Sequence, residues 1–264
     1  MTLTAYIDGI SVIGPGFTGW SAAAAVLASR AAYVPSATVL PMPLTLPAAE
    51  RRRTGRVVKL AIANGLEAAA QAGLAVATLA TVFSSSGADG DICHEICLTL
   101  ASADRQLSPT RFHNSVHNAP AGYWSIATGA MAASTTLCAY DATFSAGLLE
   151  ALTQVVIMNQ PALLIACDAG YPPPLHEKRP ISDAFGTALA LVPERTRQSI
   201  ARISVCIDDG GADKLHAADL ERLRLDSPAG RALPLLALLA RRAAGTVGLE
   251  YHGAARLRTE VHPC

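Results

Sequence analysis

The residues able to do chemistry are few and scattered. His113 and His117 stand four apart in FHNSVHN, a spacing that places both imidazoles on one face if the segment is helical. Three roles are open to them: lining an interface or ligand site, acting as acid or base, or bonding to Asn114 and Asn118. Cys93 and Cys97 flank His94 at helical spacing, but no second ligand pair follows at a zinc-site distance, so no metal centre is expected. Cys138 lies in the apolar, β-branched run STTLCAYD, where burial raises a thiol pKa and hides the group, so a core position is expected. Ser84-Ser85-Ser86-Gly87 lacks the lysine and glycine spacing of a phosphate-binding loop and reads as a strand-to-helix turn. No Gly-x-Ser-x-Gly elbow and no Tyr-x-x-x-Lys pair occurs, so the enzyme classes they mark are set aside. No cofactor is expected.

These residues must be held by an alternation of strands and helices. TAYIDGISVIG is β-rich and closes on GPG, and GWSAAAAVLASRAA follows as a helix. ATVLPMPLTLP carries three prolines and must be extended. ERRRTGRVVKLAIANGLEAAAQAGL repeats apolar residues at close to 3.6 and stops at Gly73, which reads as one helix. ATLATVFSSSG is a buried strand, and DICHEICLTLAS a helix starting at or near Asp91. STTLCAYD, ATFSAGLLEALTQVVIMNQ and PALLIACDAG read as strand, helix and strand, implying a parallel pair with a crossover helix. DAFGTALALVPE is a further strand. Beyond about residue 195 the pattern changes: ARISVCIDD is a strand, GGADKLHAADLERLRLDSPAG a polar region, PLLALLARRAAG a helix, and TVGLEYHGAARLRTEV a last strand or hairpin.

The expected fold class is therefore α/β, a mostly parallel sheet with helices on both faces, in a single domain over 1–264. With 51% hydrophobic residues the chain can bury a large core, and 21 basic against 21 acidic residues leave no global field for nucleic acid or an anionic membrane. The six scattered cysteines argue against structural disulfides. No basic segment followed by an apolar one opens the sequence, and no apolar run reaches the ~20 residues of a membrane span. A cytoplasmic protein is expected.

The stretch AASTTLCAYDATFSAGLLEALTQVVIMNQPALLIACDAG, from Ala132 to Gly170, resembles the centre of the β-ketoacyl synthase family, of thiolase-like fold. YIDGISVIGPGF, LPAAERRRTGRVVKLAIANGLEAAAQAGL and DAFGTALALVPE resemble, in order, its first strand, an earlier helix and a later strand. The resemblance covers about residues 5–195, and residues 196–264 are atypical. Counting back from Glu150-Ala151, which resembles the Gly-Glu-Ala step of the family helix, the nucleophilic cysteine falls on Asp141. The family's two histidines and lysine from a C-terminal half find no place in a chain of this length.

The resemblance implies a non-condensing subunit, a chain length factor of the kind associated with aryl polyene, polyketide or fatty-acid-type elongation. Its partners would be a full-length ketosynthase, in a heterodimer, and through it an acyl carrier protein; a homodimer could form from the chain alone. The basic run Arg51, Arg52, Arg53, Arg56 and Lys59 is then either a solvated helix start or a docking point for the carrier protein. Asp141 at the head of a helix reads as a cap or pseudo-nucleophile. By resemblance, Phe112, His113, Val116, His117, Tyr123, Thr143 and Phe144 line a substrate tunnel or subunit interface, although Tyr123 and Trp124 also suit a plain core. Ser134 to Ala139 would be an edge strand pairing across the dimer axis. Two other readings stand: an acyltransferase or thioester hydrolase using Cys138 or Asp141 with His113 or His117, and a scaffolding homodimer without a pocket.

Overall fold

The computed structural model describes residues 2–264. In chain order the elements are β1 (Leu3–Gly14), β2 (Phe17–Thr18), α1 (Trp20–Leu27), α2 (Ala48–Arg51), α3 (Arg56–Ala72), β3 (Ala80–Ser84), α4 (Gly90–Ala101), α5 (Pro109–Asn114), α6 (Ala119–Thr128), β4 (Ser134–Leu137) and α7 (Thr143–Met158). They continue with β5 (Ala162–Asp168), α8 (Leu175–Lys178), β6 (Phe185–Val192), β7 (Ala201–Asp209), α9 (Ala218–Asp226), α10 (Leu233–Arg241), β8 (Gly245–Glu250) and β9 (Ala255–Pro263).

One sheet runs through the molecule in the order β4-β3-β5-β6-β1-β7-β9-β8. The strands β4, β3 and β5 are parallel neighbours, and β4 and β5 flank β3 rather than each other. The expectation of a mostly parallel sheet needs correction, because every other pairing is antiparallel. A parallel neighbour requires a full crossover, and the return from β5 to β6 contains only the four-residue α8, so β6 comes back antiparallel. Strand β1 then pairs antiparallel with β6 and so runs in the same direction as β5; past it the antiparallel β7, β9 and β8 extend the sheet.

Alternation along the central strands sends side chains to two different cores. Leu164 and Ala166 of β5 and Leu189 and Leu191 of β6 pack with α1, α7 and α10 residues such as Leu27, Leu148, Leu152 and Leu236. Leu163, Ile165, Cys167, Ala188 and Ala190 face the other way, against Leu60, Ala61 and Ala68 of α3 and Trp124 of α6. Small residues on this second face let α3 approach closely.

Two helix ends show caps close to where the sequence suggests them. Gly73 closes α3 at φ 65, with the Leu74 N–H donating to Ala69 O, a left-handed cap that favours glycine. Asp89, two residues before the expected start, caps α4 by accepting from the Ile92 N–H at 3.2 Å. The arginine-rich segment, read as one helix, is two: α2 ends at Arg51 and α3 begins at Arg56 after a break through Thr54 and Gly55. The polar region after β7 holds α9, whose Leu220, Leu223 and Arg224 are buried.

The proline-bearing strap is tied down by Asp183. Its carboxylate accepts from the Thr38 N–H at 2.7 Å, from its neighbour Ala184 N–H at 2.7 Å and from Arg56. Burial alone would raise its pKa, but these donors hold it below the ordinary carboxylate value. A depressed folded pKa stabilises the fold above the unfolded value of about 4, and that stability is lost as pH falls through the folded value. Asp183→Asn is expected to cost about 1–2 kcal/mol at neutral pH and to flatten the acid limb of a urea-unfolding series. Parallel acid limbs in wild type and variant would contradict this.

Candidate functional site

The elbow between β4 and α7, where the family resemblance puts a nucleophile, is built from a left-handed backbone turn and ion pairs. Strand β4 ends at Leu137, and the chain turns through Tyr140 at φ 54, a left-handed conformation unusual for a tyrosine. Thr143, buried in the first turn of α7, locks the bend: its hydroxyl donates to Tyr140 O at 2.6 Å and accepts from the Ala139 N–H at 3.1 Å. The side chain of Tyr140 remains exposed, with the Arg179 guanidinium 3.8 Å from the centre of its ring.

Asp141 does not cap the helix. The residue before α7 is Ala142, and no side chain bonds to its first turn. Instead one Asp141 oxygen accepts from Arg179 Nη2 at 2.6 Å, and the other lies 3.8 Å from Arg231 Nη2. The pairs continue inward: Arg231 Nη1 lies 3.0 Å from Glu250, Arg224 Nη1 lies 3.8 Å from the same carboxylate, and Arg224 is bidentate to Glu221 at 2.7 and 2.8 Å. Three arginines and three carboxylates thus join the elbow to the C-terminal segment, with Arg224 and Arg231 almost wholly buried. The bond to Arg224 holds the Glu221 carboxyl below its ordinary pKa.

Beside this chain lies a second clamp. Asp168, 2% exposed at the end of β5, accepts from the Ser86 N–H at 2.7 Å, the Ser86 hydroxyl at 2.6 Å and the Ala229 N–H at 2.9 Å. Burial raises its pKa, and the bonds from Ser86 and Ala229 oppose that rise. The serine loop therefore holds a resident carboxylate of the fold itself.

The other candidates separate. Cys138 is exposed, correcting the expected core position, because β4 stops one residue before it. The helical pairing of the histidines also needs correction: α5 ends at Asn114, and His113 and His117 do not share a helix. His113 lines an open groove of about 570 Å³ with Phe112, Val116, Gly122, Tyr123 and Ile126, whereas the His117 Nε2 bonds Ser85 O at 3.0 Å. Tyr123 is buried and donates its hydroxyl to Asn114 at 3.0 Å, while Phe112 is 64% exposed and Val116 and Ile126 are also open. Phe144 is wholly enclosed in the core and Thr143 serves the elbow, so neither lines an accessible surface. Arg179, Arg231 and Asp168 are the residues that sequence reasoning missed; their partners lie far along the chain, and no local spacing marks them. Among the described residues no cluster of three His, Cys, Asp or Glu could hold a metal ion, and no helix is long and apolar enough to cross a membrane.

With this geometry in place, comparison decides the lineage. The profile of the family described as "Beta-ketoacyl synthase, N-terminal domain" matches residues 20–246. The chain belongs to that family. A search of the curated proteins finds no match. Among solved structures, this ketoacyl synthase-like chain is similar to one in the complex of the ketosynthase ApeO with its chain length factor ApeC from Xenorhabdus doucetiae. There the TM-score is 0.75 at 21% identity, over 98% of this chain and 99% of that one. A chain of the ishigamide ketosynthase/chain length factor aligns at TM-score 0.70 and 15% identity, covering 98% and 99%. A chain of AntDE:AntF, a type II polyketide synthase acyl carrier protein in complex with its ketosynthase bound to the hexaketide, aligns at 0.72 and 11%, covering 100% of both. At these identities the likeness establishes the thiolase-like fold, which the three share with this chain over nearly their whole lengths.

Proposed function

We propose that the chain is the non-condensing, chain-length-factor-like subunit of a heterodimer with a full-length ketosynthase, and that it shapes the cavity holding an acyl chain delivered by an acyl carrier protein. The observation that carries this reading is the pairing of Asp141 with Arg179 and Arg231, at the position that the count back from Glu150 assigns to the family nucleophile. A condensing elbow needs a thiolate free to attack a thioester. At the position assigned to the nucleophile this elbow carries a carboxylate, and the exposed thiol of Cys138 lies three residues before it. The named complexes among the structural neighbours, two of which pair a ketosynthase with a chain length factor, support the same reading.

The surface that would meet the partner is the β4 edge. Thr81 and Ser85 of the β3 segment donate their N–H groups to Ala133 O and Leu137 O, so by two-residue alternation the N–H groups of Ser134 and Thr136 point away from β3. An edge with free donors pairs readily with another strand. The groove with exposed Phe112, Val116 and Ile126 belongs to α5 and α6, and α6 packs on β3 and β4 beside this edge.

Co-expression with a ketosynthase tests both parts. Thr136→Pro removes an outward N–H and is expected to weaken co-elution at least tenfold while leaving the fold intact. Val116→Trp is expected to shorten the products without dissolving the complex. A complex that forms normally with proline at 136, and products of unchanged length with tryptophan at 116, would overturn the interface and the cavity role.

A further inference from the structure

The ion pairs at the elbow carry an inference beyond the loss of a nucleophile. Arg179 and Arg231 reach Asp141 from different parts of the chain, one just after α8 and the other in the turn over Ala229–Ala232. Each contacts a different carboxylate oxygen. Arg231 is 9% exposed, and its Nε is buried without a hydrogen-bond partner, so its guanidinium is not saturated by the groups around it. Asp141 keeps a partly open side chain, so the pair faces solvent on the side where the elbow is exposed.

We propose that Arg179 and Arg231 form an anion cradle at the elbow, occupied by the chain's own Asp141, and that it takes up a small carboxylate or stabilises a thiolate when Asp141 is replaced. The charge balance favours this. Asp141, Glu250 and Glu221 pair with Arg179, Arg231 and Arg224, so removing Asp141 takes away the direct ion-pair partner of Arg179 and leaves it only the more distant charge of Asp168. The Arg231–Glu250 and Arg224–Glu221 pairs remain in place to hold the geometry. The cradle is thus a site with a tethered occupant, which explains how a ketoacyl synthase elbow can keep its shape with a carboxylate at position 141. The proposal concerns the chain by itself and does not rest on the heterodimer.

The first test is chemical rescue in the full chain. Asp141→Ala and Asp141→Asn are melted in sodium formate and in sodium chloride at equal ionic strength. Both are expected to melt below wild type, with formate raising the midpoint of the alanine variant more than chloride and leaving wild type unmoved; adding Arg179→Met is expected to abolish the difference. Equal effects of the two salts would show a non-specific ion response and overturn the cradle. Failure of Asp141→Asn to fold would also overturn it, since that change keeps the shape and removes only the charge.

The second test puts a thiol in the cradle with Asp141→Cys and follows its alkylation by iodoacetamide against pH, peptide by peptide, with exposed Cys138 as internal reference. The groups facing position 141 are Arg179, Arg231 and Tyr140, with Asp168 and Glu250 behind the arginines. The expected midpoint lies at least about one pH unit below that of Cys138, because two guanidinium groups favour the thiolate, and the gap narrows with Arg179→Met. Coincident midpoints at 138 and 141 in folded protein would overturn the proposal.

Discussion

Asp168→Ala is expected to destabilise the protein by about 3 kcal/mol or more, enough to leave much of it unfolded at moderate temperature. The side chain is the sole acceptor identified for two backbone N–H groups in different parts of the fold, Ser86 after β3 and Ala229 before α10. Losing it leaves the buried Ala229 donor and the half-buried Ser86 donor unpaired, at about 1–3 kcal/mol each with Ser86 at the low end, and relief of the buried charge returns only part of that. The wild-type pH response has the opposite sign to that at Asp183. A carboxyl whose folded pKa is raised makes the fold relatively more stable as pH falls through that value. Urea unfolding of Asp168→Ala within about 1 kcal/mol of wild type at neutral pH would show that water or a backbone shift replaces the clamp.

Gly9→Ala is expected to be equally damaging for a steric reason. A Cβ at Gly9 would sit 2.0 Å from Ala68 O and 2.9 Å from its carbonyl carbon, both backbone atoms of α3. Neither can rotate away, so the helix must lift from β1 and open the core of Leu60, Ala61, Ala68 and Ala188. Overpacking of this kind costs about 1–3 kcal/mol when side chains can yield and more when backbone must move. Gly9 also follows the bulge between Ile7 and Gly9, where Asp8 turns to accept from the Thr196 hydroxyl at 2.6 Å and the Ser199 hydroxyl at 2.7 Å. A melting temperature for Gly9→Ala equal to wild type would contradict this close approach.

Both positions show where the sequence is legible. Strands β1, β3, β5 and β6 stand out because their apolar runs are buried on two faces, and α3 and α7 because their periodicity is long. Helix α9 is not legible as a helix because it buries few residues and is otherwise charged. The antiparallel return of β6 could not be seen, since it depends on how little helix lies in the connection. At the elbow, the spacing from Glu150 points to Asp141, but its role does not follow from position alone. A cap would be local and legible; the observed partners are remote in sequence. Cys138 is exposed for a related reason: the strand expected to reach Ala139 ends two residues early, at Leu137, and a run of apolar letters does not mark that.

The central claim, that this chain supports condensation without performing it, is tested most directly by reconstitution with a full-length ketosynthase, its acyl carrier protein and a malonyl thioester, read by intact-mass analysis of the carrier protein. The account predicts elongated ketoacyl product when both subunits are present, none from this chain alone, and an unchanged yield with Cys138→Ala. Ketoacyl product formed by this chain alone, and abolished by Cys138→Ala, would contradict it.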